Sequence, residues 1–67
     1  MNTFGGTLKG IRKLNKLSQK DFADKMETTQ QRVSEWECDK VEPSLYNILK
    51  IIKVLNTSFE ELTEGIE

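Results

Sequence analysis

A short polar run near the middle of the chain carries the functional groups that can read the edges of nucleic-acid bases. A glutamine amide offers a donor and an acceptor that match adenine, arginine matches guanine, and a carboxylate can accept a hydrogen bond from cytosine. If Val33 and Trp36 point inward, steps of 100° per residue place polar side chains on the opposite face of the same helix. The candidate base-reading residues are Gln30, Gln31, Arg32, Ser34 and Glu35.

Two of these residues admit more than one role. Arg32 suits a guanine edge and a backbone phosphate equally well. Glu35 can accept a hydrogen bond from a cytosine, pair locally with Arg32, or repel a phosphate that binds out of register. The residue types alone leave these alternatives open.

The composition argues against an enzyme. The chain has 67 residues, no histidine and one cysteine, which excludes histidine-dependent catalysis and zinc sites. No glycine-rich phosphate loop is present, and so short a chain offers little volume for a pocket. We therefore expect no catalytic activity, no cofactor, no metal and no small-molecule ligand.

The same composition indicates where the protein resides. A single cysteine allows no internal disulfide and favours a reduced compartment. No apolar run is long enough to span a membrane, and the first residues lack the layout of a signal peptide. We expect a cytoplasmic protein with no membrane partner.

The charge of the chain is unevenly distributed. Its total is −1, but residues 1–20 contain five bases and no acid, whereas residues 21–40 and 41–67 each carry a local charge of −3. The basic segment is either an electrostatic footprint for phosphate or the solvated face of an amphipathic helix.

The spacing around the polar run is typical of a helix-turn-helix over about residues 18–37. A helix with Phe22, Ala23 and Met26 inward precedes a break of about three residues and a second helix with Val33 and Trp36 inward. The small Ala23 suits the point where the two helices cross closely. An ordinary helical hairpin is the alternative.

Apolar spacing and capping residues predict five short helices in one domain over residues 1–67, with its core at about 4–63. Hydroxyl residues that suit N-caps precede four of the helices at Ser18, Thr29, Ser44 and Ser58. The first helix has an apolar stripe but three glycines, which favour fraying at its start. In the fifth helix, Phe59 and Leu62 are expected to point inward. The clearest inward stripe, in the fourth helix, is Leu45, Ile48, Leu49, Ile52 and Leu55.

The chain resembles a known family over about residues 4–62. The segment Leu17–Met26, LSQKDFADKM, is similar to the signature of the Xre/Cro/C1-type repressors, the lambdoid phage repressor family. The similarity continues through Thr29–Glu37 and the closing segment Asn56–Leu62. The resemblance implies an all-α, compact five-helix lambda-repressor-like DNA-binding domain.

The resemblance also implies roles for residues outside the polar run. Gln19 matches a glutamine that binds a backbone phosphate in this family, and Lys20, Thr29 and Lys40 are further candidate phosphate contacts. Arg12 and Glu37 match an internal salt bridge between the first helix and the recognition helix, although Arg12 could instead face phosphate with the other bases of residues 1–20. The residues expected to support the site are Arg12, Glu37, Ala23, Val33 and Trp36.

The chain departs from the family pattern at two places. Glu27 occupies the turn position that is usually glycine, where a left-handed conformation costs about 1 kcal/mol. The connection that follows the second helix of the helix-turn-helix contains Lys40 as its single base. This predicts weak contacts to the DNA backbone from that connection.

These features together favour a sequence-specific regulator of transcription that binds double-stranded DNA. We expect a repressor that inserts Thr29–Glu37 into the major groove and binds a pseudo-palindromic operator as a homodimer. Phe59, Leu62 and Ile66 are the expected dimer surface. The alternative is an antitoxin-like or antirepressor-like interaction module that acts mainly through a protein partner. The resemblance places the protein in a prokaryote, a phage or a mobile element.

Overall fold

Five α-helices make up the regular structure in the computed structural model of the chain, which describes residues 3–64. The helices are α1 (Phe4–Leu14), α2 (Gln19–Met26), α3 (Gln30–Glu37), α4 (Leu45–Val54) and α5 (Phe59–Leu62). Residues 3–64 contain no strand, so the predicted all-α fold with five helices is confirmed. None of these helices is long and apolar enough to cross a lipid bilayer.

A hydroxyl side chain caps the N-terminus of every helix. Each capping oxygen accepts a hydrogen bond of 3.0–3.2 Å from the backbone N–H three residues further on, which satisfies one of the donors that a helix start leaves unpaired. The caps are Thr3, Ser18, Thr29, Ser44 and Ser58. The sequence predicts the last four.

The start of α1 is held by a carboxylate from the loop after α3. Asp39 Oδ1 accepts a hydrogen bond of 2.9 Å from the backbone N–H of Gly5, and Asp39 Oδ2 accepts one of 2.6 Å from Thr3 Oγ1. The helix therefore begins at Phe4, in spite of the glycines that favour fraying there.

One hydrophobic core joins the five helices. It contains the predicted inward residues of the helix-turn-helix, with Phe22, Val33 and Trp36 each at most 1% exposed. Trp36 is thus a core residue rather than a platform for base stacking. The buried apolar residues are Leu8, Phe22, Ala23, Met26, Val33, Trp36, Ile51, Leu55 and Leu62.

The expected inward stripe of α4 is wrong at two positions. Leu45 and Leu49 are 68% and 52% exposed, whereas Ile51, outside that stripe, is fully buried. α4 packs against α2 and α5, and these two neighbours cover only the side of α4 on which Ile51 and Leu55 lie. The apolar face of α4 is wider than the surface that covers it.

The expected orientation of α5 is half correct. Leu62 is fully buried, but Phe59 is 55% exposed. α5 is a single turn of four residues, and its two apolar side chains have different surroundings. Leu62 lies in the core, whereas Phe59 lies at the edge of α4.

Candidate nucleic-acid interface

Two helices joined by a three-residue turn form the centre of the candidate site. α2 packs more extensively against α3 than any other pair of helices in the described residues. Ala23 is 2% exposed, and its methyl group allows this close crossing. The turn consists of residues 27–29, as the spacing of the sequence predicts.

The turn holds Glu27 in the left-handed conformation, with φ 58° and ψ 42°. The backbone N–H of Thr28 donates to the Ala23 carbonyl at 2.9 Å. This hydrogen bond is typical of helix ends at which the residue just before the donor, here Glu27, is left-handed. Glu27 therefore keeps the geometry that glycine usually provides. Its carboxylate accepts a hydrogen bond of 3.2 Å from Lys50 Nζ, which links the turn to α4.

The outer face of α3 is polar and available to a ligand. Gln30, Gln31 and Arg32 are exposed in its first turn, while Ser34 and Glu35 are partly exposed one turn later. Within residues 3–64, none of these five side chains forms a hydrogen bond or an ion pair with another residue. The local pair between Arg32 and Glu35, one of the roles considered for Glu35, is therefore absent.

A buried carboxylate fixes α3 relative to the rest of the domain. Glu37 accepts hydrogen bonds from Arg12 through both oxygens, at 2.6 Å from Nε and 3.1 Å from Nη2. The two side chains are 2% and 7% exposed, respectively. Arg12 also donates to the Leu17 carbonyl at 2.7 Å. Arg12 is thus the internal partner of Glu37, and the alternative that it faces phosphate is wrong.

Gln19 belongs to the same network, through a contact that was not predicted from the sequence. Its Nε2 donates to Glu37 Oε1 at 3.1 Å, and the side chain is partly buried. Because a carboxylate only accepts hydrogen bonds, this contact defines which end of the amide faces inward. One N–H of the amide remains for a ligand in front of α2.

The other candidate phosphate contacts lie at the surface. Lys20 Nζ is 3.4 Å from Asp24 Oδ2 in an exposed pair on α2, and such pairs contribute at most about 1 kcal/mol. Thr29 caps α3 through a hydrogen bond of 3.1 Å from the Arg32 N–H. Lys40 is exposed in the loop after α3, where its backbone N–H donates to the Glu35 carbonyl at 3.0 Å.

The role of Asp39 is a second one that was not predicted from the sequence. The residue adopts a left-handed conformation, with φ 59°, and its carboxylate caps the start of α1. Its position just past the end of α3 was the available signal, because aspartate is one of the few residue types that tolerate this conformation.

The expected dimer surface is only partly available. Leu62 is fully buried in the core of its own chain, so its assignment to a dimer surface is wrong. Phe59 is 55% exposed, and Ile66 lies outside the described residues.

Comparison with protein families agrees with this geometry. The model of a family described as "Helix-turn-helix" matches residues 8–62, a range that includes α2, the turn and α3 and most of the remaining chain. Comparison with curated proteins finds no match.

Proposed function

We propose, from the premise that this chain belongs to the Xre/Cro/C1-type helix-turn-helix family of DNA-binding regulators, that it is a repressor. In this proposal it binds a pseudo-palindromic operator as a homodimer and places α3 in the major groove. The observation that carries the proposal is the outer face of α3: its polar side chains have no partner among the described residues, and they lie opposite the buried Val33, Trp36 and Glu37.

The reading residues are the side chains of the first two turns of α3. Gln30 and Gln31 each match an adenine edge, and Arg32 matches a guanine edge or a phosphate. The absence of a pair with Arg32 favours Glu35 as an acceptor for a cytosine amino group. The N-terminal part of a recognition helix is the part that reaches base edges.

The start of α2 supplies the contacts to the DNA backbone. The first-turn N–H groups and the dipole of α2 favour an anion, and Lys20 adds a charge there. Gln19 can donate its second amide N–H to the same phosphate. Its contact with Glu37 then ties a phosphate contact to the residue that also positions α3.

A dimer is required by the amount of sequence that one helix can read. α3 has eight residues, and its reading face contacts only a few base pairs. Two copies related by a two-fold axis would read two half-sites about 34 Å apart, and this doubles the number of specifying contacts.

Selection of bound duplexes from a random DNA pool tests this function, followed by affinity measurements on the selected site and its single-base variants. Gln31→Ala should lose discrimination at one position of each half-site, by about 1–3 kcal/mol. Affinity for unrelated DNA should change little, because the lost contact is specific to a base.

Lys40→Ala is the matched control, because Lys40 lies beside α3 without belonging to its reading face. It should weaken binding to all duplexes by a similar factor and leave the preference among them intact. A selection that yields no enriched sequence would contradict the proposed function. A uniform loss with Gln31→Ala would contradict its role as a base-reading residue.

A further inference from the structure

An exposed apolar surface lies on α4, away from the reading face of α3. Leu45, Tyr46 and Leu49 are 68%, 73% and 52% exposed, and the exposed Lys53 lies one turn beyond Leu49. We call these four residues the α4 face. At 100° per residue they occupy one side of the helix, opposite the buried Ile51 and Leu55.

The apolar surface continues from the α4 face to the next helix. A groove of about 290 Å³ lies where α4, α5 and the loop after α3 meet, and its lining includes Val41, Ile48 and Phe59. Val41 and Phe59 are themselves 46% and 55% exposed. Since Ile48 lies beside Leu45 on the helix surface, three residues further along, the groove and the α4 face form one patch.

The size of this patch matches what a dimer of two small domains needs. Its five large apolar side chains expose roughly 500 Å², near the upper end of the largest apolar patch on an ordinary monomer. A standard interface buries about 800 Å² per partner, of which about 65% is apolar in homodimers. The exposed apolar area of the patch is thus close to the apolar share of a homodimer interface.

The arrangement of the patch is complementary to itself. Leu49 lies near the middle of α4, so a two-fold axis beside it pairs two copies of α4 in antiparallel orientation and brings the two Leu49 side chains together. Leu45 and Tyr46 of one copy then face Lys53 of the other, where the lysine stem and ammonium can cover the tyrosine ring.

The charges around the patch agree with the same pairing. In this arrangement the two Lys53 residues are about 12 Å apart along the helix axis, since each lies four residues from the two-fold axis. Lys53 of one copy instead lies opposite the uncharged Leu45 of the other copy, since both are four residues from the two-fold axis. Like charges therefore stay apart.

We propose that the α4 face, with Val41 and Phe59, is the surface on which a second copy of this chain docks. The inference deepens the proposed function, because it identifies the surface that forms the dimer. Of the surface expected from the sequence, it keeps Phe59 and omits the buried Leu62, while Ile66 lies outside the described residues.

Sedimentation equilibrium of the full chain without DNA, from micromolar to millimolar concentration, tests the docking surface. The unsubstituted chain should form a dimer. Leu49→Glu brings two carboxylates together at the two-fold axis and should raise the dimer dissociation constant at least tenfold. Leu14→Glu is the matched control, because Leu14 is 82% exposed on α1, and its dissociation constant should stay within twofold of the original.

Circular dichroism verifies that each variant keeps its helices, and Leu45→Lys provides a second substitution on the same face. A chain that stays monomeric at millimolar concentration would overturn the proposal. So would an unchanged dissociation constant in Leu49→Glu, or an equal loss in Leu14→Glu. Since DNA is absent, failure of the chain to bind DNA would contradict the proposed function without affecting this result.

A charge exchange tests the orientation of the pairing. Leu45→Lys alone places a second lysine opposite Lys53 of the other copy and should weaken the dimer about fivefold to tenfold, because the contact occurs twice. Combining Leu45→Lys with Lys53→Glu replaces the two like charges by an opposite pair and should restore part of the affinity. If the double variant is no tighter than Leu45→Lys alone, the antiparallel α4 pairing is wrong.

Discussion

Glu37 is the residue on which the position of α3 depends. It accepts hydrogen bonds from Arg12 on α1 and Gln19 at the start of α2, so three helices meet at one side chain. A buried ion pair of this kind defines geometry more reliably than it adds stability, since both charges lose their hydration. Its value here is the fixed position of α3.

Removal of one member of this pair should be far more damaging than removal of both. Arg12→Met leaves a buried carboxylate without its cation and should lower the free energy of unfolding by about 3–5 kcal/mol. The double variant Arg12→Met with Glu37→Leu should recover a large part of that loss. Urea denaturation followed by circular dichroism measures both.

Lys13→Met is the matched control for Arg12→Met, because Lys13 is the next residue on α1 and is exposed. It should change the free energy of unfolding by no more than about 0.5 kcal/mol. Equal effects of the two substitutions on the free energy of unfolding would show that the buried pair contributes no more to stability than an exposed lysine does.

At the scale of helices, α1 also meets α3 through a close contact between their backbones. Gly5 in the first turn of α1 is buried against the C-terminal end of α3. A Cβ at this position would lie 2.6 Å from the Trp36 carbonyl oxygen and closer still to that of Glu37. Because neither carbonyl can move without displacing α3, the position requires glycine.

Two glycine substitutions in the same helix should therefore have opposite effects. Gly5→Ala should destabilise the fold by about 1–3 kcal/mol, the usual effect of an overfilled contact. Gly10→Ala should stabilise it by about 0.5–1 kcal/mol, since no atom lies within 4 Å of the added methyl group and alanine favours a helix interior. Thermal unfolding of both variants measures the difference, and a stabilised Gly5→Ala would contradict the close contact.

Local signals in the sequence predicted most of the helix positions but less of what surrounds each helix. Ser18, Thr29, Ser44 and Ser58 could be identified as caps because a cap depends on residues within one turn. The exposure of Leu49 could not, because a 3.6-residue period indicates which residues share a face but not how much of that face a neighbour covers.

The same distinction applies to the candidate site. The outer face of α3 followed from its periodicity, whereas the contact between Gln19 and Glu37 joins residues 18 positions apart and depends on how α2 and α3 are placed. The left-handed Asp39 caps a helix that begins 35 residues earlier in the chain. A local signal exists for the left-handed conformation of Asp39, but the partners of both side chains follow from the tertiary arrangement.

At the scale of the whole molecule, the net charge of −1 is a poor guide to DNA binding, because DNA meets one surface and not the total. In the proposed complex, the bases near phosphate are Lys20, Arg32 and Lys40, near the starts of α2 and α3 and in the loop after α3. Several acids lie elsewhere, including Glu60 on α5. We therefore expect moderate affinity for random DNA and a specificity that depends on base contacts and on the dimer.

The salt dependence of DNA binding distinguishes the effect of charge on the proposed DNA-facing surface from the effect of the net charge of the chain. Lys20→Ala and Glu60→Gln change the net charge of the chain by one unit in opposite directions, and both side chains are exposed. Each phosphate contact contributes about 0.9 to the slope of log K against log salt, so Lys20→Ala should reduce the slope by about two in a dimer. Glu60→Gln should leave it unchanged, because no phosphate lies near α5 in the proposed complex.

Fluorescence anisotropy measures both slopes at salt concentrations of about 50 to 200 mM, where this dependence is steep. If Glu60→Gln strengthened binding as much as Lys20→Ala weakened it, the total charge would govern affinity and the assignment of a DNA-facing surface would be wrong.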